Sequence, residues 1–375
     1  MRRLCSALPL VPVALAAQTA RADLVPPPPA EISFAAVGDL LFGRYLRPGD
    51  PASYWTPLRA PDPLASVAPL LRSVDVAFGN LETPIMAPPS RLPAGTAFVF
   101  RADPFRTRQL RLAGFSVLSL ANNHTSNLGL LGAVETRQRL IAEGLRPVGA
   151  GATEAEALQP ALLDVHGLRL AVLAFTLWNG DHSPSDRGGV LAYVRPDEVL
   201  ARVPPLVRAA REQRGADWVA VSLHWGIENA PRPDEQQRRI AHALVDAGAD
   251  LVLGHHPHVL QDVERYHGAL IAYSLGNFVF DDRALPARQT VVLRAVLSGS
   301  GPLRRIRAVR LVPVLIGLDW VPRLACGADH QAIARRLEEL APGIAVTPDP
   351  AARLASAPRP GLAVLGGPVG AGAGP

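Results

Sequence analysis

Short apolar runs rich in β-branched residues recur along the chain: 32–37 (ISFAAV), 74–78 (VDVAF), 116–121 (SVLSLA), 169–175 (RLAVLAF), 218–223 (WVAVSL), 250–254 (DLVLG) and 270–275 (LIAYSL). Runs this short and continuous predict buried strands. Between some of them the spacing changes to a helical repeat. Residues 131–145 predict a helix ending at Gly144, and residues 234–249 another, with acidic residues first and Gly248 near its end. Strands alternating with helices predict an α/β layered architecture. Beyond residue 290, TVVLRAVL and RRIRAVRLVPVLIGL predict an antiparallel pair closing the sheet. The chain then turns rich in Pro, Gly and Ala and lacks aromatics, which predicts a mobile tail. The expected division is 1–22 leader, 23–31 proline-rich spacer, 32–340 domain and 341–375 tail.

Polar residues gather at the C-terminal end of each run. ISFAAV leads to Gly38-Asp39, VDVAF to Gly79-Asn80-Leu81-Glu82, and SVLSLA to Asn122-Asn123-His124. WVAVSL leads to His224-Trp225-Gly226, DLVLG to His255-His256-Pro257-His258, and LIAYSL to Gly276-Asn277-Phe278. In an α/β sheet the C-terminal strand ends lie along one edge, where sites are built. Taken singly, Gly-Asp reads as a turn, Asn-Asn as a turn or helix cap, and His224 as a packed histidine. Taken together they form an oxygen- and nitrogen-rich donor set without thiolate, suited to Mn, Fe or Zn. His256-Pro257-His258 is the sharpest element. In an extended loop, side chains two apart share a side, and Pro257 restricts the backbone between them. Two imidazoles so held would address two metals about 3.5–4 Å apart.

Composition narrows the classes. The chain has 375 residues, 48% hydrophobic and 19% charged, which is globular and long enough for a sizeable core. All 38 basic residues are arginine and the formal net charge is +5. No arginine run or aromatic-interleaved basic stripe is present, so nucleic acid is not an expected partner. Arg2-Arg3, an apolar stretch and Ala20-Arg21-Ala22 follow the order of a secretory signal peptide. The expected location is therefore exported, periplasmic or attached to the cell envelope. Removal of that leader would leave Cys326 as the only cysteine, so no intrachain disulfide is expected.

The ordered series Asp39, Asn80-x-Glu82, Asn122-Asn123-His124, His224-Trp225-Gly226 and Gly254-x-His256-Pro257-His258 resembles the CapA/PgsA family of bacterial capsule and poly-γ-glutamate synthesis proteins. FRADP (100–104), LANNHTSNLG (120–129), VSLHWGIEN (221–229), GHHPHVLQ (254–261) and YSLGNFVFD (273–281) fit as well, and the match covers about residues 32–283. That family is similar to calcineurin-like metallophosphoesterases. The resemblance implies a four-layer α/β/β/α sandwich of metallophosphatase type with two central sheets. It implies metal ligation by Asp39, Glu82, Asn123, His224, His256 and His258, with Asn80 a less favoured alternative to Glu82 and His255 an additional neighbour. One or two divalent ions (Mn, Fe or Zn) are the implied cofactors. His124, beside Asn123, takes the position that contacts the phosphate or leaving group. Two departures stand out: Leu41 replaces the usual histidine of the first motif, Asp-x-His, and Asn127 stands where the family often has aspartate. One good and one poor metal position are implied.

The expected chemistry is metal-dependent hydrolysis or transfer of a phosphoester, with His124 as proton donor. Trp225, Trp178, Asn179 and Asn277 are candidates to line the cleft, although a tryptophan at a strand end is as readily core. Arg44 either faces an anionic substrate or is a solvated surface residue. The expected partners are an anionic polymer or a phosphorylated substrate, and a membrane polymer-synthesis complex. Two alternatives stay open: a non-catalytic assembly or export factor built on the same fold, and a periplasmic nucleotidase or phosphodiesterase.

Overall fold

The structure, a computed structural model, describes residues 29–46, 54–89, 98–178 and 191–350. The expected leader and Asn179 lie outside these residues. From the N-terminus, β1 (Glu31–Leu40) is followed by β2 (Gly43–Leu46), β3 (Tyr54–Pro57), α1 (Ala68–Arg72) and β4 (Val76–Leu81). Then come β5 (Phe98–Phe100), α2 (Arg106–Ala113), β6 (Val117–Ser119), α3 (Gly129–Ala142), β7 (Arg146–Val148) and α4 (Glu154–Ala157). The hairpin β8 (Ala161–Val165) and β9 (Leu168–Thr176) leads to α5 (Val199–Glu212), β10 (Trp218–His224), α6 (Glu235–Asp246) and β11 (Leu251–His255). After β12 (Val263–Tyr266) and β13 (Ala269–Ala272) the chain returns through β14 (Asn277–Val279), α7 (Leu285–Arg288) and β15 (Gln289–Ser298). It ends in β16 (Arg305–Ile316), β17 (Pro322–Leu324), α8 (Gly327–Leu340) and β18 (Ala345–Val346).

Two sheets carry the fold. One runs β17-β16-β15-β1-β4-β6-β7, with β14 beside β1 and β18 beside β16; the other runs β12-β13-β11-β10-β9-β8. Side chains alternate between the faces of each strand, and the core divides accordingly. Ile32, Phe34, Ala36 and Phe78 of the first sheet meet Leu170, Val172, Trp218 and Leu253 of the second in a shared inner layer. Ala35, Val37 and Ala77 face outward onto Leu71, Leu110 and Leu140 of α1, α2 and α3. Leu173, Val219 and Val221 face outward onto Val203 and Val207 of α5 and Ile240 and Leu244 of α6. Helix, sheet, sheet, helix is the order that the family resemblance implies.

β15 and β16 pair antiparallel, also as expected, and continue the first sheet beyond β1. β18 pairs parallel with β16, so residues 345–346, assigned on sequence to the tail, belong to the sheet. Residues 351–375 lie outside the described residues. Two strands run further than their apolar cores suggest. β1 extends through Asp39, and β4 through Asn80, because polar side chains there are satisfied within the site instead of by solvent.

Candidate metal centre

The site lies where strand ends of both sheets meet. Asp39 pairs in register with Asn80 on one side and Asn277 on the other, and His224 is in register with His255. Gly38 makes this convergence possible, because a Cβ there would collide with the Gly276 carbonyl. The backbone bond from Asp39 N–H to Gly276 O (3.0 Å) closes the same contact.

Asp39 is the hub. It is fully buried, and its Oδ1 accepts from Asn80 Nδ2 (2.8 Å) and meets His255 Nδ1 (3.1 Å). Its Oδ2 accepts from the His256 N–H (3.3 Å) and lies 3.4 Å from His258 Nδ1. Burial alone would raise its pKa, but hydrogen bonds from His255 and His258 outweigh burial and hold the carboxyl well below its usual range. Both oxygens are thus occupied by donors that orient the surrounding histidines.

The asparagines form a second tier. Asn80 Nδ2 also lies 3.3 Å from His224 Nδ1, and Asn80 Oδ1 accepts from Asn122 Nδ2 (3.2 Å). With Nδ1 facing an amide donor, His224 carries its proton on Nε2, which bonds Asn123 Oδ1 at 2.8 Å. Asn122 Oδ1 accepts from the backbone of His124 and Thr125, fixing the turn that presents Asn123 and His124. His224 also sits 3.5 Å from Glu82 Oε1, and its burial holds the imidazole well below its ordinary pKa.

Glu82, His256 and His258 are the group that could hold a metal: one ligand atom from each lies within 4.8 Å of the others. Both Glu82 carboxyl oxygens, His256 Nδ1 and the neighbouring His255 Nε2 are buried without a hydrogen-bond partner. Buried polar atoms ordinarily have partners, and an oxygen and imidazole set with unused lone pairs matches a borderline divalent cation. Burial and the charge of Asp39 push Glu82 well above the usual carboxylate range. His258, which burial alone would lower, is raised to about 10 by Glu82 and Asp39, whereas burial lowers His256 to about 3. The residues do fit the implied ion. The route to this arrangement differs from the expected extended loop. His256 (φ 95°) and His258 (φ 59°) are left-handed, with Asn229 N–H bonded to the intervening Pro257 carbonyl (2.8 Å). Non-glycine residues hold that region only when their surroundings enforce it.

His124 stands against an apolar wall. Leu41, Phe100 and Phe280 form a buried cluster; His124 stacks on Phe100 with ring centroids 3.7 Å apart, and His258 lies 4.7 Å from Phe280. Leu41 therefore occupies its position as a packing residue. Asn127 Oδ1 accepts from the Phe100 N–H (2.9 Å), so its carbonyl side also faces His124 Nδ1 (2.9 Å). Burial holds His124 at about 3 despite this bond. The ring is neutral at neutral pH, with Nδ1–H donated to Asn127 and Nε2 as the acceptor. Arg44 pairs with Asp281 at 2.7 Å on the small β3-β2-β5 sheet that carries Phe100. The wall residues Phe100 and Phe280 lie in the FRADP and YSLGNFVFD motifs, but nothing in their spacing marks them as neighbours of histidines.

Other candidates separate. Trp225 does not line the cleft: it is fully buried in the outer helical layer, stacks with Tyr273 and gives its Nε1–H to the Tyr273 carbonyl (3.0 Å). Its one polar side-chain atom is satisfied in the core, the alternative that a tryptophan at a strand end left open. Trp178 does reach the rim, 4.8 Å from the His256 ring and bonded to the Gly226 carbonyl (3.2 Å). Asn277 supports His258 through its Oδ1 (2.8 Å).

Comparison with known proteins gives a family. Residues 33–282 match the family described as "Bacterial capsule synthesis protein PGA_cap". The chain is 33% identical over 276 residues to the PGA biosynthesis protein CapA of Bacillus subtilis (strain 168), covering 72% of this chain and 69% of that protein. It is 32% identical over 305 residues to the capsule biosynthesis protein CapA of Bacillus anthracis, covering 78% and 72%. Among solved structures, the calcineurin-like phosphoesterase YfkN of Bacillus subtilis aligns with a TM-score of 0.42 at 11% identity, covering 84% of this chain and 97% of that one. With the match spanning every strand end that builds the site, the chain belongs to the bacterial capsule synthesis protein PGA_cap family.

Proposed function

We propose that this protein acts in the biosynthesis of a capsule or poly-γ-glutamate polymer as an exported, metal-dependent phosphoester hydrolase or transferase. The observation that carries this reading is the buried Glu82–His256–His258 group with unpaired ligand atoms. A bound divalent ion would polarise a phosphoryl oxygen and ease deprotonation of water. This chain's residues supply the rest. Asn277 and Asp39 orient His258, and Asn80 and Asn123 fix the tautomer of His224. Neutral His124 receives a proton at Nε2, and an anionic ligand beside it would raise its pKa and let it donate to a leaving group.

Protein loaded with Mn, Fe or Zn should hold about one to two equivalents and turn over bis-p-nitrophenyl phosphate. His124→Ala should lower that turnover by about 10²–10⁴-fold while keeping the metal. Intact mass of protein recovered from its native host should give a start near Asp23. A second reading, a non-catalytic assembly or export factor for the anionic polymer, is favoured by the apolar packing of Leu41 and the amide at Asn127. Inactive metal-loaded protein whose His124→Ala variant still supports capsule formation would establish that reading. A periplasmic nucleotidase would share the site and differ in substrate.

A further inference from the structure

On the flank of the molecule, away from the metal centre, edge strands β7 and β8 of the two sheets approach each other. A cavity of about 530 Å³ opens there, between α3, the start of β7 and the segment entering β8. Ile141, Leu145, Pro147 and Leu162 give it an apolar floor, and Arg137 and Arg146 bring two guanidinium groups to it. Ile141, 48% exposed, stands at its mouth.

Neither arginine has a partner among the described residues, and Arg137 Nε is shut off from solvent with no acceptor. Buried or neighbouring arginines elsewhere do have partners. Arg139, on the same helix, pairs with Glu135 at 2.6 Å; the buried Nε of Arg101 also lacks an acceptor, but Arg101 pairs with Asp103 at 2.8 Å. The one carboxylate lining the cavity, Glu156, is engaged in accepting the Ala152 N–H (2.9 Å). Gln159 at its edge accepts from Arg214 (3.0 Å), which adds a third positive charge. A charged donor closed off from water without an acceptor is costly to keep. Two guanidinium groups lining a cavity with apolar walls suit an anion whose charges are joined by hydrocarbon.

We propose that this cavity docks the carboxylates of an acidic polymer chain, with Arg137 and Arg146 each taking a carboxylate and the floor taking the methylenes between. The proposal rests on the reading of the protein as a component of capsule-polymer biosynthesis, and places polymer binding apart from the metal centre. A labelled γ-linked glutamate oligomer, titrated with the full-length metal-loaded protein and followed by fluorescence anisotropy, tests it. Saturable binding that weakens with salt is expected. Arg137→Ala with Arg146→Ala should weaken it at least about tenfold, the size of one lost charge-assisted contact. Ile141→Glu, which sets a carboxylate at the mouth four residues from Arg137 on α3, should weaken it by repelling the polymer and competing for that guanidinium. His256→Ala with His258→Ala should bind the oligomer as wild type does, so failure at the metal centre leaves this result intact. Absence of binding, undiminished binding by the double arginine variant, or displacement of the oligomer by an equal concentration of inorganic phosphate would overturn the proposal.

Discussion

Asn277 sets the tautomer of His258. Its Nδ2 donates to the Ala287 carbonyl (3.1 Å), so its Oδ1 must face His258 Nδ1 (2.8 Å), which leaves Nε2 as the nitrogen with a lone pair to give. Partners of this kind raise ligand basicity and fix ring orientation. Asn277→Ala should lower affinity for Mn about 10–100-fold, whereas Asn277→Asp, which still accepts, should retain most of it. Calorimetric titration with Mn reads both, and equal affinities in all three proteins would remove Asn277 from any supporting role.

Metal binding should release protons. Glu82 is held above the carboxylate range by burial and Asp39, and His258 is held at about 10 by Glu82 and Asp39 against the effect of burial. A divalent ion competes with the proton that Glu82 and His258 hold between them, so affinity should rise with pH. Titrations in buffers of different ionisation enthalpy measure the release directly. A pH-independent affinity between pH 6 and 9 would contradict the assignment of His258 as a ligand.

Acid should destabilise the fold through His124 and His256. Both are lowered to about 3, chiefly by burial. Their folded values lie below the unfolded value, so the unfolded chain takes up protons first. Their contribution is complete above about pH 6.5 and is lost towards pH 3, at about 1.4 kcal/mol per pH unit for each group. Thermal denaturation of chelator-treated protein should show a midpoint falling from pH 7 to pH 5. His124→Gln should flatten that dependence; a slope unchanged by the substitution would assign the acid response to other groups.

Leu41→His tests the apolar wall. Leu41 is fully buried with Phe100 and Phe280, and its N–H bonds the Val279 carbonyl at 2.7 Å. An imidazole there loses packing and buries a polar ring, costing about 1–3 kcal/mol. The thermal midpoint of the variant should fall in chelator and recover when Mn is added, with metal content rising above wild type. A midpoint that stays low with Mn would show that the new ring cannot reach an ion.

The apolar runs became strands because continuous β-branched segments have few other ways to be buried, and the layers resulted from their alternation with helices. Their ends were harder to read. Gly38-Asp39 and Gly79-Asn80 look like turns, yet β1 and β4 continue through them because the polar side chains find partners across the site. α5 was hidden by Pro204 and Pro205, which sit inside the helix. Burial of Val199, Val203, Val207 and Ala210 outweighs the hydrogen bonds those prolines forfeit. The small β3-β2-β5 sheet has no periodic signature, so the position of Phe100 over His124 was not legible either. Convergence of the donor residues could be inferred from order along the chain, whereas division of labour among them could not. Asp39 proves to be saturated by its neighbours, which is a property of geometry alone.

Gly38 rests directly on the Gly276 carbonyl, and Gly254 rests in the same way on that of Tyr273. At both places main chain is packed on main chain, with no side chain between to yield. The donor groups therefore hang from a frame whose dimensions do not depend on them. Exchanging the donor at Glu82 would change which ion the site could hold, while adding a single methyl at Gly38 would wedge two strands apart. Spacing here is set by main chain, which locates the room for functional divergence in the donors.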